Sequence, residues 1–150
     1  MCNYCGCRAF PLIRRLTDEH EAIADTASEL RHAIVAGRHD AATRLLDELI
    51  GLLIPHTTTE ERGLFAELRY DPVFAEEVDN LCREHADIHG VLMTVDRAVP
   101  DWSAVIAAIR RLYRHIDNEE HGLFPAAVIA LPIPIWDRIT DDAEPGAFAR

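Results

Sequence analysis

Four stretches of this chain repeat apolar residues at three- and four-residue spacing, and each is closed by a helix breaker. That pattern narrows the possible folds sharply, because a strand would need alternation at every second residue. The first stretch carries Leu16, Ile23, Leu30 and Ile34 and ends at Gly37. It opens between Pro11 and Thr17, where proline suits a first helical turn and threonine a cap. A second, capped by Asp40, bears Leu45, Leu46, Leu49, Leu52 and Leu53 and is expected to run through His56 to about Arg69. Pro55 inside it removes a backbone bond and predicts a kink. Asp71-Pro72 opens a third, through Val78, Leu81, Cys82, Ile88 and Leu92 to about Val99; Pro100-Asp101 opens a fourth, with Ile106, Ile109, Leu112, Tyr113 and Ile116, to about Gly122. Four amphipathic helices with short links predict an all-α, up-down-up-down four-helix bundle. The expected layout is an N-terminal tail over 1–10, a bundle over 11–125 and a C-terminal extension over 126–150. Pro132, Pro134 and Trp136 in that extension suggest a short helix and a strap, followed by a loose acidic end.

Histidine is placed unusually on these stripes. His20 lies between Leu16 and Ile23, His56 beside Leu52 and Leu53, His85 between Leu81 and Ile88, His89 near Leu92, and His115 near Leu112. Residues at i and i+4 share a helix face, so His56 pairs with Glu60, His115 with Glu119, and His85 with His89. Glu61 and Glu120 fall about 140° from those histidines and are expected to face outward or to support the ligands from behind. One imidazole on an apolar stripe is ordinarily a hydrogen-bonded core residue. Five imidazoles and two carboxylates in one bundle centre would cost many kcal/mol without a compensating charge, and metal cations supply it. His32 and His39 lack such partners and read as surface residues, as does His121.

Seven ligands exceed the demand of one ion and suit two bridged by carboxylates. Nitrogen and oxygen donors without thiolate favour iron, manganese or zinc. His20 and His56 would serve one ion and His85, His89 and His115 the other, with Glu60 and Glu119 bridging ions about 3.5–4 Å apart. A repeat supports the division: HTTTEERGLF at 56–65 returns as HIDNEEHGLF at 115–124, and DEHEAI around His20 resembles REHADI around His85. Two copies of a helix pair would bring two half-sites together across a pseudo-twofold axis, with His89 breaking the symmetry.

The order His, His-x3-Glu, His-x3-His, His-x3-Glu, with LF after the second element and LFP after the fourth, resembles the hemerythrin-like (HHE cation-binding) family over about residues 15–125. The resemblance implies a hemerythrin-like bundle holding two iron ions in a μ-oxo- or hydroxo-bridged centre that binds O2, with relatives linked to peroxide, nitric oxide or iron handling. Respiratory hemerythrins place the last carboxylate, an Asp, five residues after the His; here Glu119 stands at four and Glu120 at five, and Glu119 matches Glu60. Ferritin-like di-iron bundles use two Glu-x-x-His motifs, whereas this chain has one, Glu29 to His32.

Three functions fit this reading. One is a module binding O2, peroxide or nitric oxide in oxidative or nitrosative defence or sensing. Another is a di-iron peroxidase or catalase-like enzyme, with the bridging Glu or Tyr113 relaying protons or electrons. A third is a structural bundle using zinc. A formal charge of −11 disfavours nucleic acid and anionic membranes. No apolar run approaches membrane-spanning length, and the N-terminal residues lack the layout of a secretory signal, which leads to a cytoplasmic expectation. Cys2, Cys5 and Cys7 form C-x2-C-x-C, which reads as an oxidisable tail lacking a fourth ligand, and Cys82 as a small core residue.

Overall fold

A computed structural model describes residues 6–144; Cys2, Cys5 and residues 145–150 lie outside the described residues, while Asp141 and Asp142 of the expected loose acidic end belong to a helix. The long helices are α1 (Pro11–Val35), α2 (His39–Arg62), α4 (Pro72–Met93) and α5 (Trp102–Asn118). Short helices α3 (Leu64–Leu68), α6 (Phe124–Ala130) and α7 (Ile133–Asp142) complete the set, and no strand occurs among the described residues. The fold is an all-α four-helix bundle: α1 packs on α2 and α5, and α4 packs on the same two.

The ends of the helices follow from local chemistry. Pro11 and Pro72 sit in first turns. The Asp71 and Asp101 carboxylates accept from the Val73 and Ala104 amides at 2.9 and 3.1 Å. Gly37, at φ +70°, closes α1, its amide donating to the Ile34 carbonyl and that of Arg38 to the Ala33 carbonyl. The α2 helix continues through Pro55, with the Thr57, Thr58 and Thr59 hydroxyls donating to the Leu53, Ile54 and Pro55 carbonyls. Its interruption comes later, at Gly63, so the expected single helix to Arg69 is two pieces. The fourth predicted helix likewise gives way after Asn118 to a π turn over Glu119–Leu123, in which the Phe124 amide reaches back to the Glu119 carbonyl.

Both interruptions have one geometric cause. Phe65 and Phe124 each lie nine residues after a stripe histidine, and an unbroken α-helix turning about 100° per residue would aim them half a turn away. The break at Gly63 and the wider π turn bring both rings back to the interior, where Phe65 and Phe124 are fully buried. The wider turn also suits Pro125, which has no amide to donate.

The core falls into two apolar parts. One gathers Leu12, Leu16, Phe65, Leu81, Phe124, Trp136 and their neighbours; the other gathers Ile23, Leu30, Leu46, Leu53, Ile88, Leu112 and theirs. Along each long helix and the segment that follows it, the stripe histidine stands between them, as with Leu16, His20 and Ile23 on α1. A polar layer thus lies across the middle of the bundle.

The segment expected as a strap is a pair of short helices. Trp136 and Ile139 of α7 are buried in the first core part, and the Arg15 guanidinium donates to the Ala143 carbonyl. Cys7, expected in a tail, is buried in a 3-10 turn over Cys7–Ala9, and Phe10 packs 5.0 Å from the Trp136 ring. Burying that apolar cluster holds the turn against the bundle.

Candidate metal centre

Six of the seven candidate ligands meet in the polar layer. Their donor atoms form two groups, each within 4.8 Å: His20, His56, Glu60 and Glu119, and Glu60, His85, His115 and Glu119. Every member is buried, and both carboxylates belong to both groups. The Nε2 atoms face them: His56 Nε2 is 3.0 Å from Glu60, His20 Nε2 3.0 Å from Glu119, His115 Nε2 2.9 Å from Glu119, and His85 Nε2 3.3 Å from Glu60. These are close approaches without hydrogen-bond geometry. Neither oxygen of Glu60, neither oxygen of Glu119, nor His20 Nε2 makes a hydrogen bond. Four buried carboxylate oxygens without hydrogen bonds, gathered on four imidazole nitrogens, mark a centre that calls for positive charge, whether protons or a metal cation.

The outward nitrogens explain how the rings are aimed. Each Nδ1–H donates to a carboxylate on a neighbouring helix: His56 to Glu19 at 2.7 Å, His85 to Glu61 at 2.7 Å, His115 to Glu84 at 2.6 Å and His20 to Glu120 at 2.6 Å. The pairings run α1 to α2, α2 to α4, α4 to α5 and, from the π turn that follows α5, back to α1, a closed ring around the bundle. With Nδ1 so engaged, Nε2 is the atom left to face the centre, the usual arrangement for ligating histidines. Glu120 also accepts from the Thr17 hydroxyl at 2.9 Å, and its side chain is 11% exposed against 42% for Glu61.

This answers what Glu61 and Glu120 do: each stands behind a histidine. Glu119, not Glu120, is the carboxylate that reaches the centre. Glu19 and Glu84 were missed in the sequence, although each precedes a stripe histidine in the matched DEHEAI and REHADI stretches. A carboxylate next to a buried histidine in both copies was the available signal. What hid it is that each Glu serves the histidine of another helix.

Aromatic stacking completes the frame with the same near-symmetry. Phe65 stacks on His85 at 5.7 Å and Phe124 on His20 at 5.6 Å. His20 and His56 meet edge to face at 4.5 Å, as do His85 and His115.

The electrostatics ask for positive charge. Burial works against protonating His20, but Glu119, Glu120 and Glu60 outweigh it and push its pKa up to about 12. Burial likewise opposes His56 and His115, yet Glu60 with Glu19, and Glu119 with Glu84, raise each to about 9. Glu60 is held well below the carboxylate range by His56, His20 and His85, despite complete burial. A field that retains protons so strongly would retain a metal cation as well.

His89 is outside both donor groups. It is half-buried, its ring stacked 6.3 Å from His85 and its Nε2 3.4 Å from the Thr57 hydroxyl. Burial, then the nearby His85, lowers its pKa, which keeps it neutral near pH 7. It borders a pocket over the imidazoles lined by Ile23, Leu53, Ile88, Leu112 and Ile116. The centre of a water-sized sphere has about 10 Å³ there, room for about one such molecule. The Tyr113 hydroxyl donates to the Ala24 carbonyl at 3.5 Å and does not line this pocket. His121 is exposed beside Asp117, and Cys82 is half-buried with Arg69 donating to its sulfur at 3.4 Å.

The family model described as "Hemerythrin HHE cation binding domain" matches residues 12–127. No match was found among curated proteins or among solved structures. No helix among the described residues is long and apolar enough to cross a membrane. The chain belongs to the hemerythrin HHE family.

Proposed function

We propose that this hemerythrin-family bundle holds two iron ions, one between His20 and His56 and the other between His85 and His115, bridged by Glu60 and Glu119. The observation that carries the reading is the pair of buried donor groups sharing both carboxylates, whose oxygens lack hydrogen bonds. His89, one turn beyond His85 and bordering the pocket, remains the seventh candidate ligand. All donors are nitrogen or carboxylate oxygen, a set that suits iron and disfavours the soft copper(I) ion. Iron bound there would supply a redox-active centre able to take a small oxidant such as O2, peroxide or nitric oxide. The chain's own part is to fix the imidazoles through the outer carboxylates, to shed water from an apolar pocket, and to limit the guest to very few atoms. Oxidant defence or sensing in the cytoplasm is the role we assign.

Metal analysis of protein purified without added metal tests this reading. Two irons per chain are expected; zinc, or no metal, would overturn it in favour of a structural bundle.

An enzymatic variant of the same reading rests on His89. A neutral imidazole beside the Thr57 hydroxyl, facing the pocket, can accept and return a proton. That would suit turnover of H2O2 or nitric oxide better than simple binding. Steady consumption of H2O2 by the iron-loaded protein, reduced by His89→Ala when rates are expressed per bound iron, is the expected result. Its absence leaves binding as the function.

A further inference from the structure

The two half-sites match in their ligands and differ just outside them. In DEHEAIAD (18–25) and REHADIHG (83–90), His20 corresponds to His85 and Ala24 to His89. Thr57, following His56, corresponds to Ile116, following His115. On the α2–α4 side the His89 ring occupies the position of Ala24, its Nε2 3.4 Å from the Thr57 hydroxyl. On the α1–α5 side the counterparts Ala24 and Ile116 instead line a cavity of about 110 Å³ with His20, Glu21 and Glu120. Glu21 is exposed, so this cavity meets the surface.

His20 and Ile116 also line the inner pocket over the imidazoles. The outer cavity and the inner pocket therefore share one wall. Its two parts are not equally free to move. The His20 ring is held by Glu120 at one edge and stacked on Phe124 across its face. Ile116 is a half-buried aliphatic side chain that can change rotamer quickly, without breaking a polar contact.

We propose that small neutral molecules reach the inner pocket between α1 and α5, past Ile116, and that Ala24 keeps this route open while His89 closes its pseudo-twofold counterpart. The inner pocket admits about one water-sized molecule. Glu21 and Glu120 at the mouth, and a net charge of −11, repel anions. The guest class is thus an uncharged molecule of two or so heavy atoms, and Ile116 sets its size limit. The destination rests on the proposed metal centre, whereas the route is a property of the apoprotein.

Two measurements separate those dependencies. In metal-free protein, dissolved O2 serves as a paramagnetic probe of methyl relaxation. Enhancement at Ala24, which lines the outer cavity and not the inner pocket, above that at the exposed Ala86 on the opposite side is expected. In iron-loaded protein, nitric oxide association is followed by stopped flow. Ala24→Phe should slow it about tenfold or more, and Ile116→Ala should speed it by a few-fold. Ala86→Phe, which places the same bulk at the counterpart of Glu21 on the closed side, should leave the rate unchanged. The route is overturned if Ala86→Phe slows association as much as Ala24→Phe, if neither changes it, or if O2 enhancement at Ala86 equals or exceeds that at Ala24. Should Ala24→Phe fail to fold, the Ile116→Ala rate and the wild-type relaxation pattern decide the question. A chain that takes up no metal would sink the proposed function, and the O2 measurement would still judge the route.

Discussion

The two copies of the His-to-Phe phrase do the same work with different backbones. In 56–65 the helix breaks at Gly63, whose φ and ψ are −104° and −95°, away from helical values. A Cβ there would stand 3.0 Å from the Thr59 carbonyl oxygen. In 115–124 the chain passes through a π turn, and a Cβ on Gly122 would meet nothing within 4 Å. Both routes deliver a carboxylate common to the two donor groups, an outward carboxylate and a stacking phenylalanine to nearly equivalent places. Side-chain positions at the centre are thus the shared requirement, and backbone continuity is where the copies were free to diverge.

The largest test of that equivalence removes its shared members. Glu60→Ala and Glu119→Ala should each lower metal content towards zero, because both donor groups use both residues. Loss of metal in one variant but not in the other, measured by elemental analysis, would break the comparison at its centre. Next come the stacking rings: Phe65→Ala and Phe124→Ala should each cost about 3–5 kcal/mol in urea unfolding, since both are fully buried.

The alkaline behaviour of the metal-free protein is a third probe. His56 and His115 have folded pKa values raised to about 9 from 6.5. Their contribution is therefore complete below about pH 6.5 and disappears as pH rises through 9, with an effect on the order of a few kcal/mol. The thermal midpoint of the apoprotein should fall across that range. His56→Gln and His115→Gln should each flatten the fall by similar amounts, and unequal flattening would show the two sides to be electrostatically different. Last is the backbone itself. Gly63→Ala should destabilise by about 1–3 kcal/mol, because a backbone oxygen is in the way, whereas Gly122→Ala should be neutral or slightly stabilising. Equal effects would mean that the two interruptions are not as distinct as their geometry.

Much of the site could be read from local spacing. His20, His56, Glu60, His85, His115 and Glu119 all lie where the three- and four-residue periodicity places them, because an α-helix converts that periodicity into one inward face. His89 satisfies the same periodicity as His85 yet stands outside the donor groups, since position along the axis matters as well as angle. The interruptions at Gly63 and Glu119–Leu123 escaped the periodic reading because neither GLF sequence states whether a helix will break or widen.

The chain alone, then, determined four helical rods, their inward stripes and the order of the candidate donors, all of which depend on neighbours within about two turns. Only the folded bundle decided that Glu19 meets His56, Glu61 meets His85, Glu84 meets His115 and Glu120 meets His20. Those partners lie on different helices, and only the packing of one helix against the next brings them within a hydrogen bond.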